Sequence, residues 1–359
     1  MDAFQSLLFS YLRHLEGPCL LVADENFLDT PFSHLAPSVQ LISNRFDIAQ
    51  QVSSTGRTCI FNDFDFSVFN KNTFQTVFYR VSKEKPISHH IINQSLHMLE
   101  DGGQLILAGE KNDGLKTYVK KAGYYFSNKP TIEKQGPYYF AKIKKTAHSK
   151  INSADRTLTL KDNYERLIKL PEQKNTADNI GLYSKPGLFG WKKVDRGSAL
   201  LAQCLPAFFD SLSHPPKTLL DLGCGYGYLS VMAARCCQQC DIPTQLFATD
   251  NCAAALIASQ KNFDEFSIQG EVIADDCANG IQQLFDVVLC NPPFHQGFKT
   301  DSRLTEKFIR SAAKHLKADG KALFVINQFV PLEKFSRPFF NKTETLLEQE
   351  GFRVLAFTK

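Results

Sequence analysis

Short apolar runs alternate with stretches of helical character along this chain, and the alternation runs through twice. In the second half Thr218-Leu-Leu-Asp-Leu222, Leu246-Phe-Ala-Thr-Asp250, Glu271-Val-Ile-Ala-Asp275, Phe285-Asp-Val-Val-Leu-Cys290 and Lys321-Ala-Leu-Phe-Val-Ile-Asn327 read as strands. Tyr228 to Arg235, Ala253 to Lys261 and about Thr305 to Leu316 read as helices between them, and Phe352 to Phe357 as a last strand. Strands this apolar are covered on both faces, and helices between them supply the cover. The pattern therefore predicts a parallel, doubly wound α/β sheet, with room for an antiparallel hairpin at the end.

The first half keeps the same order, with strand candidates at Cys19 to Asp24, Val39 to Ile42, Thr58 to Phe61, Phe74 to Arg80 and Gln104 to Ala108. Leu99-Glu-Asp-Gly-Gly-Gln-Leu-Ile106 resembles Leu316-Lys-Ala-Asp-Gly-Lys-Ala-Leu323, and Ile132-Glu-Lys-Gln-Gly136 resembles Leu347-Glu-Gln-Glu-Gly351. A duplicated unit accounts for this order, although any two α/β units share part of it. A chain of 359 residues also exceeds one compact core. The expected division is a first domain over 1–150, a polar linker over 151–180 and a second domain over 181–359.

Apolar content of 43% and charged content of 22% are those of a soluble globular protein. No apolar run reaches the roughly 18 residues that a membrane span needs, and the start carries no basic leader. The expected location is the cytoplasm, where the ten cysteines, set within apolar segments, are free thiols. Cys237-Gln-Gln-Cys240 has zinc-ligand spacing but no second pair, so no metal is expected. The net charge is only +4, yet residues 129–196 hold about 15 Lys and Arg against about 7 Asp and Glu. Such an excess suits a polyanion; a solvated basic face accounts for it equally well.

Chemistry concentrates in the second half. Asp221-Leu-Gly-Cys-Gly-Tyr-Gly227 turns a buried strand into a helix, where ligands of open α/β sheets bind. Gly223, Gly225 and Gly227 lack the Cβ atoms that would keep a nucleotide-like ligand from the backbone, and the helix N-terminus suits a carboxylate. Asp250, ending the next strand, can accept two ribose hydroxyls or cap a helix. Asp275 and Asp276 end the third strand, where one of them, with Asp276 preferred, can accept from an adenine amine. Asn291-Pro-Pro-Phe-His295 then presents an amide oxygen, the Pro292 carbonyl and the Phe294 ring, a set suited to a planar amine. His295 either touches the substrate or hydrogen bonds its own loop. The first half has no glycines at Val22-Ala-Asp-Glu-Asn-Phe27 and has Tyr79-Arg-Val-Ser82 where the second has Asn-Pro-Pro-Phe, so it is expected to keep the fold without the chemistry.

Gly187-Leu-Phe-Gly190, Asp195-Arg-Gly197, the glycine motif, Asn291-Pro-Pro-Phe-His-Gln-Gly297 and Asn327-Gln-Phe-Val-Pro331 together resemble the bacterial ribosomal RNA guanine-N2 methyltransferases of the small subunit. The likeness is dense from about Gly181 onward and looser before it. It implies two tandem class I, Rossmann-like methyltransferase domains with mostly parallel seven-stranded sheets and a terminal antiparallel strand, the first copy degenerate. It implies S-adenosyl-L-methionine as cofactor, held by Asp221, Gly223, Gly225, Gly227, Asp250 and Asp276, with Asn291, Pro292 and Phe294 catalytic. It further implies 16S rRNA or the 30S subunit as partner, with guanosine 1207 the methylated base, and no obligate protein partner. Asp276 departs from the pattern, since close relatives are expected to carry asparagine there. Related Asn-Pro-Pro-aromatic motifs also serve methylation of protein glutamine or DNA adenine, and an assembly factor that only retains the cofactor is a non-catalytic alternative.

Overall fold

The computed structural model describes residues 3–12, 17–28, 30–149, 163–171, 180–293, 295–296, 299–300 and 302–359. The chain forms two compact units, Met1–Arg166 and Leu167–Lys359. Of the expected linker, Tyr164 is buried in the first unit with its hydroxyl on Asp63, while Ile168–Lys169 pairs with Tyr183–Ser184 in the second. Among the described residues no helix is long and apolar enough to cross a membrane.

The first unit runs α1 (Ala3–Leu12), β1 (Cys19–Ala23), β2 (Val39–Ser43), α2 (Phe46–Ser53), β3 (Cys59–Phe61), β4 (Phe74–Arg80), α3 (Lys85–Met98), β5 (Leu99–Glu110), α4 (Leu115–Tyr125), β6 (Thr131–Gln135) and β7 (Tyr138–Lys144). The second begins with the small hairpin β8 (Ile168–Lys169) and β9 (Tyr183–Ser184), then α5 (Arg196–Asp210), β10 (Thr218–Leu222), α6 (Tyr228–Gln239), β11 (Gln245–Asp250), α7 (Ala253–Glu265), β12 (Gly270–Ala274) and β13 (Phe285–Cys290). It ends with the hairpin β14 (His295–Gln296) and β15 (Lys299–Thr300), α8 (Ser302–His315), β16 (Leu316–Asn327), α9 (Leu332–Ser336), β17 (Lys342–Gln349) and β18 (Phe352–Thr358).

Both large sheets have seven strands in the same order, β3-β2-β1-β4-β5-β7-β6 and β12-β11-β10-β13-β16-β18-β17. In each, the strand last in sequence is antiparallel to both neighbours and the remaining pairings are parallel. Central strands such as Cys19–Ala23 and Phe285–Cys290 are buried at every residue, because helices cover both faces. In the second unit Leu219, Val287 and Leu323 pack with α5, α6 and α7, whereas Leu220, Val288 and Phe324 pack with α8 and α9. This alternation is the two-residue period of a strand buried between two helical layers.

The likeness of the halves extends to single atoms. β5 and β16 show the same burial at each of their 12 residues. Gly103 and Gly320 lie against backbone of the neighbouring strand: a Cβ there would meet the carbonyls of Phe74 and Gln75, or of Phe285 and Asp286, at 3.0–3.2 Å. Lys145 Nζ donates to the Leu99 carbonyl at 2.6 Å, and Lys359 Nζ to the Leu316 carbonyl at 3.0 Å. Both strands therefore begin before their glycine, not after it as the sequence suggests. The strands are interrupted there: Leu99 and Gln104 pair with Phe74 and Thr76, and Leu316 and Lys321 with Phe285 and Val287, so four residues of β5 or β16 bulge out opposite one residue of the neighbouring strand.

Candidate active site

The sheet brings the two motifs to one edge. β10 and β13 are parallel neighbours, with Asp221 opposite Leu289, so the chain leaving β10 at Gly223 and the chain leaving β13 at Asn291 emerge side by side. All three motif glycines are left-handed, at φ +78°, +55° and +82° for Gly223, Gly225 and Gly227. Their surroundings separate them. A Cβ at Gly223 would lie 2.8 Å from the Phe308 ring and one at Gly227 2.7 Å from Ser259 Oγ, while at Gly225 nothing lies within 4 Å. Only Gly225 faces open space; the other two glycines serve packing. Gly223→Ala is accordingly expected to cost about 2–4 kcal/mol, the left-handed penalty plus overpacking against a core ring, and Gly225→Ala only about 1 kcal/mol. Denaturant midpoints of the two variants measure the difference.

Asp221 is buried, and its Oδ2 accepts from Ser230 N at 2.9 Å and Ser230 Oγ at 2.6 Å. Gly227, at the N-cap of α6, has no side chain to satisfy that first turn, so Asp221 does so from the strand. Its Oδ1 is buried with no hydrogen-bond partner among the described residues. Burial, and secondarily the charge of Asp250, push the Asp221 carboxyl up to about 7 against the bonds from Ser230. Asp250 accepts from Gly225 N through Oδ2 and from Cys252 N through Oδ1, both at 2.9 Å, and so pins the glycine turn.

At the end of β12, Asp275 Oδ2 accepts from Gly280 N at 2.9 Å, and its buried Oδ1 has no partner among the described residues. Asp276 forms an ion pair with Lys307 of α8. Between Asp276 and Ala278 the backbone turns through two left-handed non-glycine residues, Cys277 at φ +55° and Ala278 at φ +56°.

Asn291 is half-buried, and its Nδ2 donates to Asp195 Oδ2 at 3.0 Å and to Ser198 Oγ at 2.8 Å. Pro292 is buried and Pro293 exposed; Phe294 and the His295 side chain lie outside the described residues. Tyr226, within the glycine motif, lies near Asp195, and burial pushes its phenol well up from the ordinary tyrosine range.

The second unit matches the family described as methyltransferase small domain over residues 179–356, and the first matches its N-terminal domain over residues 8–156. A ribosomal RNA small subunit methyltransferase C of Pseudomonas paraeruginosa is 32% identical over 254 residues, 70% of each chain. The chain belongs to the ribosomal RNA small subunit methyltransferase C family. The member from Haemophilus influenzae strain PittGG is 27% identical over 349 residues, 96% of this chain and 95% of that one. Among solved structures, the T. thermophilus 16S rRNA N2 G1207 methyltransferase in complex with AdoMet and guanosine shares the fold at a TM-score of 0.80 and 20% identity, covering 100% of this chain and 92% of that chain.

Within this family fold, the register of the first unit refines the sequence comparison. Matching bulges and matching strand faces set Arg80, not Tyr79, level with Asn291, a shift of one residue. The same register sets Ser43 level with Asp250 and Ala23 level with Gly223. Ser43 still accepts from Arg45 N at 3.0 Å, as Asp250 does from Cys252, so the turn is kept although the carboxylate is gone. Three residues beside the site receive no role from the sequence: Asp195, quoted only within a motif, Ser198 and Lys307. Asp195 is readable as a helix cap ahead of an apolar run, but its bond to a side chain 96 positions away has no local signature.

Trp191 packs against the core beside α5, with the Lys192 ammonium 4.8 Å from its ring. Cys237 is buried and Cys240 exposed at the end of α6, and among the described residues no three His, Cys, Asp or Glu side chains are grouped to hold a metal.

Proposed function

We propose that this protein transfers a methyl group from S-adenosyl-L-methionine to the exocyclic N2 of a guanine in 16S rRNA, the guanine being that at position 1207 named for its T. thermophilus structural relative. The observation that carries the reading is the parallel pairing of β10 with β13, which sets the glycine turn beside Asn291 and Pro292. The residues present fit the cofactor: Gly225 leaves open space where a Cβ would stand, and Asp221 Oδ1 is a buried acceptor with spare capacity for a cationic amine. When bound, S-adenosyl-L-methionine supplies an electrophilic methyl whose C–S bond breaks as the N–C bond forms, leaving a thioether.

The chain's own residues prepare the amine. A guanine N2 lone pair is delocalised into the ring and is a poor nucleophile. Asn291 Oδ1 and the Pro292 carbonyl accept its two hydrogens, draw the nitrogen toward tetrahedral geometry and aim its lone pair. The nitrogen, once methylated, releases a proton to water, so no strong general base is required. Phe294 supplies the face on which the base stacks. Gly223 and Gly227 hold the turn, Asp250 serves the ribose hydroxyls as well as the turn, and Asp276 with its Lys307 partner lies toward the adenine. In the first unit, residues 1–150 act as a degenerate domain that binds RNA or supports the fold. The partner is 16S rRNA or the 30S subunit, without an obligate protein partner, in the cytoplasm.

Incubation with labelled S-adenosyl-L-methionine and 30S subunits lacking the modification, followed by mass mapping of nucleosides, is expected to find one N2-methylguanosine at 1207. Label at another base, or in ribosomal protein, would replace this reading. Gly225→Ala, destabilised by only about 1 kcal/mol, is expected to weaken cofactor binding by about tenfold or more because its methyl fills the open space.

A further inference from the structure

A side-chain amide can present an acceptor to an incoming amine in only one of its two orientations. Its oxygen and nitrogen ends are nearly the same size, so the surroundings must choose between them. For Asn291 the choice is made by the start of α5. Asp195 Oδ2 and Ser198 Oγ take the two Nδ2 hydrogens at 3.0 and 2.8 Å. A carboxylate has no hydrogen to give, so a flipped amide would set its oxygen against Asp195 and lose that bond; the Ser198 hydroxyl, which donates as well as accepts, holds the amide in place while Asp195 sets its sense. Asn291 Oδ1 is left pointing away from both, with no partner among the described residues.

Asp195 is itself held. The same Oδ2 accepts from Ser198 N at 2.9 Å as the N-cap of α5, so the helix terminus fixes the carboxylate that fixes the amide. Gly197 leaves the room this needs: a Cβ there would lie 3.2 Å from Asp195 Oδ2 and 3.1 Å from the Phe352 ring. The sequence Asp195-Arg-Gly-Ser198 is thereby accounted for at three of its four positions.

Resting on the proposed transfer to an exocyclic amine, we propose that Asp195 and Ser198 are positioning residues that lock Asn291 with its oxygen toward the target base. They act through Asn291 and touch neither base nor cofactor. Because both bonds accepted by Asp195 end on one oxygen, asparagine can keep both. Serine at 195 can keep the cap but is too short to reach Asn291.

The experiment measures kcat, KM for the 30S substrate, cofactor affinity and thermal midpoint for Asp195→Ser, Asp195→Asn, Ser198→Ala and Asn291→Ala. Asp195→Ser and Ser198→Ala are expected to lower kcat by about tenfold to a hundredfold, with KM and cofactor affinity within about twofold. Asp195→Asn is expected to recover kcat to within about threefold of wild type. Wild-type kcat in both Asp195→Ser and Ser198→Ala, with Asn291→Ala inactive, overturns the positioning role and leaves the amine-presenting role standing. Full activity in Asn291→Ala overturns the amine-presenting role itself. A kcat loss in Asp195→Ser and Ser198→Ala matched by an equal fall in cofactor affinity or a collapse of the thermal midpoint assigns these residues to the fold alone.

Discussion

Asn291→Ala is expected to lower methyl transfer by about a hundredfold to a thousandfold while cofactor affinity and thermal stability stay near wild type. The expectation follows from where the side chain spends its bonds. Its amino group is taken by Asp195 and Ser198, and its oxygen has no partner among the described residues, so little of the fold depends on the oxygen. The aligned acceptor would be lost when the nitrogen changes geometry, which lowers kcat, and not when the cofactor enters. Single-turnover transfer to unmodified 30S subunits, together with calorimetric titration of the cofactor, separates the two. Retained transfer, or lost cofactor binding in a folded variant, would assign Asn291 another role.

Asp221 carries the second large effect, and it depends on pH. An exposed aspartate titrates near 4, whereas burial beside Asp250 lifts Asp221 to about 7. Below about pH 4 both folded and unfolded chains hold the proton and the group costs nothing. As pH rises from 4 to 7 the unfolded chain releases a proton that the folded chain retains, so stability is lost progressively; above 7 the loss is complete and constant. Asp221→Asn removes this titration, and urea midpoints of the variant are expected to fall less than those of wild type between pH 5 and pH 8.

A cationic group entering the pocket favours the carboxylate and reverses the cost. Wild-type cofactor affinity is therefore expected to rise between pH 6 and pH 8 with release of a proton. In Asp221→Asn the affinity is flat with pH and weaker by about tenfold or more at pH 8. Calorimetry in two buffers of different ionisation enthalpy counts the proton; equal counts for wild type and variant would rule out this linkage.

Legibility from sequence followed burial. β1, β10 and β13 were plain because helices cover both faces and every residue had to be apolar or satisfied. β17 was not, because Lys342–Gln349 is an edge strand exposed at nearly every position and carries no apolar alternation. The first residues of β5 and β16 are illegible for a different reason: a single leucine pairs ahead of a four-residue bulge, and only the neighbouring strand shows that the glycine ending the bulge admits a close carbonyl. At the site, the loops could be placed from local sequence, since a glycine turn and an Asn-Pro-Pro run each lie in one stretch. Their bonds could not. Asp195 with Asn291 and Lys307 with Asp276 join residues brought near by strand order, and the division of the glycines between packing and open space depends on Phe308 and Ser259.

The lysines that close the last strand of each unit have a meaning beyond their bonds. Lys145 and Lys359 hold corresponding carbonyls in two sheets of which only one carries the asparagine and the glycine turn. Two units of one strand order in a single chain let each position be set against its counterpart. Residues present in both units answer to shape, and those present in one answer to reactivity. By that measure Gly320 and Lys359 belong with the framework, whereas Asn291, with Arg80 as its counterpart, is present in one unit alone.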